Sequence, residues 1–178
     1  MKIFYVILII LGILVAIPLV IALFVKKEYS VEREIVIDTP KQDVFNYVKY
    51  LKNQDNYNKW VMLDPTMKKE FKGIDGTEGF VYAWDSKNKN AGEGAQEIKK
   101  LIDGERVDIE INFIRPFKGV AHVHMVTEAV SENQTRVKWG MKGQSKYPMN
   151  FMNLIIDGML GPDLETSLTT LKNILEKQ

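Results

Sequence analysis

From Ile3 to Val25 the chain runs for 23 residues without a charge, 18 of them Leu, Ile, Val or Phe, and Lys26 and Lys27 follow at once. At about 1.5 Å per residue this run is long enough to cross a hydrocarbon core of about 30 Å. Insertion of its apolar side chains is favourable by roughly 5 to 10 kcal/mol, a margin that tolerates Gly12 and the kink expected at Pro18. A cleaved leader has a shorter apolar core, about 7 to 15 residues, closed by a small-x-small site. The pattern therefore predicts an uncleaved transmembrane anchor over residues 1–28. Lys2 lies before the run, and Lys26, Lys27 and Arg33 after it. This distribution leaves the side of the membrane open.

Beyond the anchor the period changes. Val31, Arg33, Ile35 and Ile37 alternate with Glu32, Glu34 and Asp38, which predicts a half-buried strand. Thr39-Pro40-Lys41-Gln42 offers a cap, a proline suited to the first helical turn and a Gln three residues after the cap, so a helix begins there. Val44, Val48 and Leu51, with Phe45 beside them, form its apolar side. The polar stretch from Asn53 to Asn58 ends it. Six extended segments follow, over about 67–73, 78–86, 93–102, 105–114, 119–130 and 135–145, separated by Gly-rich and polar turns with no helix-length gap. Such spacing predicts consecutive antiparallel strands. After Pro148 the helical period returns, with Leu164, Leu168, Leu171 and Leu175 on one side. Gly158, Gly161 and Pro162 predict a kink or restart before them.

The expected fold is α+β: a curved antiparallel sheet whose apolar face is buried by one long C-terminal helix over residues 29–178. Charge changes this picture little. With 24 Lys and Arg against 23 Asp and Glu, the net charge is +1, and no field suited to nucleic acid is present. The absence of cysteine excludes disulfides, thiolate catalysis and Cys-ligated zinc.

The order of elements and a series of local strings resemble the polyketide cyclase/dehydrase-like members of the START-like, or SRPBCC, superfamily. The resemblance rests on Thr39-Pro40, on Trp60 followed by Asp64-Pro65, and on Gly73, Gly76 and Gly79 leading to Trp84. It continues through Gly92 and Gly94, Phe113 near Pro116, Thr135 to Trp139, Gly161, and Leu168 to Lys172. It covers about residues 29–177 and none of the anchor. It implies a helix-grip fold with an apolar cavity between sheet and C-terminal helix, in a superfamily whose ligands include lipids, sterols, polyketides and plant hormones. No catalytic motif transfers with it, so function has to come from the site.

Alternation along strands selects the candidate lining. Phe80, Tyr82 and Trp84 share one face, as do Ile109, Ile111 and Phe113, and so do Trp139 and Met141 with Val137. Trp60 precedes them, and Met152, Ile156 and Met159, with Met149 and Ile155, supply an adaptable wall. The same residues equally suit an ordinary core, or for the methionines a bilayer surface. The kink at Gly158 to Pro162 would let that segment act as a lid over the pocket entry. Asp163 is placed by its position after Pro162 as favourable charge at a helix N-terminus.

His122 and His124 are the only histidines, two apart on a strand and so on one face. A hairpin centred near Phe117 pairs Glu110 with His124 and Asn112 with His122, and sets Ala121, Val123 and Met125 beside Phe113, Ile111 and Ile109. The apolar set then faces inward and the histidines outward. No metal site and no cofactor are expected. The sequence thus points to a membrane-anchored domain that binds a small hydrophobic ligand, a lipid or lipid-like metabolite, and touches the bilayer through residues 3–25. A cyclase, dehydratase or hydrolase acting on such a ligand, or a partner-binding module with a collapsed cavity, are the alternatives. Protein partners are not legible.

Overall fold

A computed structural model describes residues 2–177, so Met1 and Gln178, the outer ends of the two expected segments, lie outside the described residues. The apolar run forms one helix, α1 (Lys2–Phe24), which continues through Pro18. Among the described residues its side chains are almost all exposed, and only Ala22 is buried. Three residues later β1 (Glu28–Ile37) begins. Then come α2 (Lys41–Val48), a 3-10 turn at Leu51–Asn56 and the single-turn α3 (Lys59–Met62). Six strands follow: β2 (Lys68–Lys72), β3 (Val81–Asp85), β4 (Glu93–Ile102), β5 (Arg106–Arg115), β6 (Gly119–Ser131) and β7 (Gln134–Gln144). A second 3-10 turn at Met149–Leu154 leads into α4 (Ile156–Leu175).

The seven strands make one antiparallel sheet in the order β1-β7-β6-β5-β4-β3-β2. Register shifts at Glu93/Gly94 and Ile98/Lys100 in the β4–β5 pairing, and at Ala129/Ser131 between β6 and β7, bend it. Its concave face carries Val31, Ile98, Val107, Ile109, Val123, Met125, Val137 and Trp139, all buried. Leu164, Leu168, Leu171 and Leu175 of α4 close over the β1 side, and Val44, Phe45 and Val48 of α2 pack on β6 and β7.

Three local expectations are corrected. Thr39 does not cap α2. Pro40 occupies the N-cap position without a side-chain bond, while the Thr39 hydroxyl donates to the Leu175 carbonyl at the end of α4. The helix also does not break at Gly158 to Pro162: α4 is continuous from Ile156, with Pro162 within it. Asp163 is therefore inside the helix, and its carboxylate holds Lys59 of α3. The β5–β6 hairpin pairs Glu110 with His122 and Asp108 with His124, two residues from the expected register. The pairing is symmetric about Pro116 instead of Phe117: Phe113 faces Gly119, and Ile114 and Arg115 have no partner in β6. Because the shift is even, every side chain keeps its expected face.

Candidate functional site

One end of the concave face is left unfilled by the helices. There β3, β4 and β5 face the 54–61 segment across a cavity of about 180 Å³. The deep half of the face is closed: the Tyr57 ring meets Trp139 edge-on at 5.8 Å between centroids, and its hydroxyl lies 3.7 Å from Met125 Sδ. Burial pushes the Tyr57 phenol far above its ordinary value, so it remains a neutral packing group.

Of the candidate lining residues, Trp60, Tyr82, Trp84, Ile111, Phe113 and Met141 line the cavity. Phe80, Ile109, Val123, Met125 and Trp139 lie instead in the packed core: Tyr57 covers Met125 and Trp139, α2 packs on β6 and β7, and Phe80 stacks on Phe71. Ile156 packs at the core's edge, Met152 is half-buried and Met159 is exposed, and none of the three lines the cavity. The 149–154 part of the segment expected as a lid is bonded to the end of α1 through Asn150 and Asn153, and Leu160 alone of this region reaches the cavity wall.

The aromatic wall depends on a small residue. A Cβ on Gly94 would come within 2.7 Å of the Trp84 ring and of the Asn112 carbonyl, so Gly94 lets the indole lie across β4. Trp84 then meets Phe113 edge-on at 6.4 Å and donates from Nε1 to the Ala91 carbonyl at 3.0 Å. Gly92, at φ +63°, allows the Ser86–Gly92 loop to pass beside the Arg115 carbonyl. Arg115 stands at the rim, paired with Glu93 and Asp85.

Alternation of apolar residues alone does not find the polar part of the site. Gln54, Asn58 and Gln96 are more than nine-tenths buried and all line the cavity. Gln54 Oε1 accepts from Gln96 Nε2 at 3.0 Å and from Asn58 Nδ2 at 3.1 Å, while Asn58 Oδ1 accepts from the Trp60 N–H and starts α3. Among the described residues, Gln54 Nε2 and Gln96 Oε1 have no protein partner. An apolar cavity thus presents one amide donor group and one carbonyl acceptor side by side. Gln96 was detectable, since it interrupts the inward alternation Gly94, Gln96, Ile98; Gln54 and Asn58 sit in a polar stretch with no such pattern. Tyr82 contributes its ring only. Its hydroxyl donates to Asp55 at 2.8 Å, and burial, then that bond, hold the phenol far above its usual value.

The histidines are on the other face. His124 Nε2 lies 2.7 Å from Glu32 Oε2, its ring against Gly140, and His122 Nδ1 lies 3.9 Å from Glu110 Oε2. Among the described residues no group of three or more His, Cys, Asp and Glu is arranged to hold a metal ion.

The curved seven-stranded antiparallel sheet gripped by a C-terminal helix is the helix-grip fold of START-like and Bet v 1-like proteins. Norcoclaurine synthase from Thalictrum flavum, solved with dopamine and hydroxybenzaldehyde, matches 89% of this chain and 92% of its own at a TM-score of 0.65 and 10% identity. A protein of Chromobacterium violaceum matches 83% of this chain and 96% of its own at 0.59 and 12% identity. The Aha1 dimer from Colwellia psychrerythraea matches over 83% and 96% at 0.54 and 16% identity. No family model matches the sequence, and no curated protein is significantly similar to it. Likeness at these identities establishes the fold.

Proposed function

We propose that the chain is a membrane-anchored helix-grip protein that binds a small hydrophobic molecule, a lipid or lipid-like metabolite carrying one polar group. The observation that carries this reading is the cavity itself: indole, phenyl and aliphatic walls around the partly unpartnered Gln54–Gln96 amide pair. An apolar cavity of about 150 Å³ holds benzene. At about 180 Å³ the enclosed space suits a ring or a short chain segment, with the rest of a larger ligand leaving through the mouth beside Trp60 and Arg115. Among the described residues the lining offers amides and one guanidinium, and no carboxylate or imidazole, which supports binding over turnover. Anchoring is supported by the helix over Ile3–Phe24, which carries no charge and is almost wholly exposed.

Native mass spectrometry of the full chain extracted from its host membranes tests the ligand. An apolar adduct that is absent from a cavity-filled Ile111→Trp variant is the expected result; a folded protein that is always empty would count against it. Resistance of the chain to carbonate extraction tests the anchor.

A further inference from the structure

The alternating strand directions place the β3–β4 loop, the β5–β6 loop, the start of β1 and the end of β7 at one end of the sheet. The cavity mouth, beside Asn90, Ala91 and Pro116, lies at this same end. So does the end of α1, and it is tied down. Asn150 Nδ2 donates to the Ala22 and Val25 carbonyls at 2.7 and 2.8 Å, and Asn153 Nδ2 to those of Lys26 and Lys27 at 2.9 and 3.0 Å. The Ser145 N–H adds a bond to the Lys27 carbonyl at 2.8 Å. The bond to Ala22 takes up a carbonyl that the helix end leaves free, and the others hold the chain that leaves it. They hold the mouth end of the sheet against the place where α1 leaves the hydrocarbon.

Two further properties of this end have no use within the fold. Phe117, Leu154, Ile155 and Met159 are 72, 65, 54 and 53% exposed, and Met62 and Leu63 stand out beside them. Leu63 belongs to this end because its carbonyl accepts from Asn88 of the β3–β4 loop. Apolar side chains gathered in this way mark a contact surface. Around them are Lys26, Lys27, Lys87, Lys89, Lys118 and Lys146, all exposed and, among the described residues, all without an ion-pair partner. Most acids at this end are engaged: Asp85 and Glu93 by Arg115, Asp157 by Arg33, Asp163 by Lys59, and Asp64 by the Ser86 and Thr66 hydroxyls, while Glu28 beside Lys27 accepts from Gln144. The turns at the opposite end instead carry Asp103, Glu105 and Glu132.

We propose that this end is a membrane-contact face that lies on an anionic leaflet, with the Phe117 loop and the Leu154–Met159 segment in the interface and the lysines at headgroup level. The proposal rests on α1 being inserted. Apolar side chains flanked by cations are the combination that an anionic bilayer surface attracts. It follows that the cavity opens into the interface, so that an apolar ligand enters from the bilayer without crossing water.

The absence of cysteine makes the test direct. The full chain is reconstituted in vesicles of phosphatidylcholine with and without phosphatidylglycerol, carrying spin-labelled quencher lipid. Single environment-sensitive fluorophores are attached in Phe117→Cys, Leu154→Cys, Ile102→Cys at the far end and Val15→Cys within α1. The expected result is strong quenching at positions 15, 117 and 154, several-fold weaker quenching at 102, and a fall at 117 and 154, but not at 15, when phosphatidylglycerol is omitted or salt is raised. Quenching at 15 with 117 and 154 as weak as 102 overturns the contact face while leaving the anchor intact. Equal quenching at 117 with and without phosphatidylglycerol overturns the anionic assignment. No quenching at 15 overturns the anchor and the contact face together.

Discussion

The guanidinium of Arg33 occupies the place where a side chain on Gly161 would be: a Cβ built there would lie 2.0 Å from Nη2. Across this notch Arg33 forms two bonds to Asp157, at 2.9 and 2.8 Å, and one from Nε to Glu165 at 2.6 Å. Asp157, Gly161 and Glu165 are spaced at i, i+4 and i+8, so they lie along one face of α4 directly over β1.

Glycine within a helix costs roughly 1 kcal/mol relative to alanine, and Gly161→Ala alone would be stabilising on that ground. Here the new methyl has to displace the guanidinium and break its fork to Asp157 and Glu165. We expect Gly161→Ala to lower the melting temperature of the full chain in detergent. In an Arg33→Ala background all three of the nearest obstructing atoms are gone, and Gly161→Ala should become stabilising. A double-mutant cycle by thermal denaturation reads this reversal of sign; two effects that simply add would disprove the notch.

Leu168 is 1% exposed and lies in the middle of the leucine face of α4, between Leu164 and Leu171, both fully buried. Removing its three distal carbons leaves a void between sheet and helix that neither neighbour can fill without lifting α4. Leu168→Ala should cost about 2 to 5 kcal/mol. Urea denaturation checks this, and Leu154→Ala, at an exposed position, is the comparison expected to change stability little.

The amide pair makes a separate prediction about selectivity. Gln96→Leu removes the Oε1 acceptor and also the donor to Gln54 Oε1, which keeps its bond from Asn58. An apolar probe that fluoresces on burial should bind the variant at least as well as the parent. A probe of the same shape carrying a hydroxyl should lose affinity, by a factor of about 10 for one hydrogen bond worth roughly 1.4 kcal/mol. Equal losses for both probes would mean that the pair only supports the wall.

The elements that were legible before the structure share one property: their neighbours are decided by burial. The seven strands and α4 follow from periods of 2 and 3.6, and His122 and His124 face outward because Ala121, Val123 and Met125 must face inward. Pairing within the hairpin was less legible, since an even slip leaves burial unchanged and only the centre of the turn, Pro116 instead of Phe117, decides it. Of the fourteen candidate lining residues six border the cavity and eight do not, and alternation cannot separate the two groups. Alternation says that Ile109, Ile111 and Phe113 face the concave side, but not that Tyr57 closes the face before Met125 and Trp139 while Ile111 and Phe113 stay open to the cavity. That depends on how a polar segment without periodicity folds, through Asn58 capping α3 and Gln54 meeting Gln96. Gly161 read as a helix breaker because its partner, Arg33, lies 128 positions away, and nothing local points to it.

Acid should loosen the two ends of α4 by one mechanism. At its C-terminus Glu176 accepts from the Asp38 N–H at 2.7 Å and pairs with Lys172 at 2.9 Å, and these contacts, the backbone bond first, hold its carboxyl below the ordinary 4.5. At its start the Arg33 fork holds Asp157 below the ordinary 3.8. A carboxyl depressed in the folded state binds its proton more readily when unfolded, so stability rises with pH in the interval between the two values. The contribution is complete above the ordinary values and is lost as pH falls through the folded ones. Melting temperature should therefore be flat from neutral pH to about 5 and then fall as these carboxylates protonate. Glu176→Gln keeps an oxygen to accept from Asp38 but does not titrate, and Asp157→Asn is its counterpart at the other end. Each should lower stability at neutral pH and flatten the acid limb. The two sites lie at opposite ends of the helix, so their effects should add. An acid limb as steep in the double variant as in the parent would mean that other groups drive the acid response.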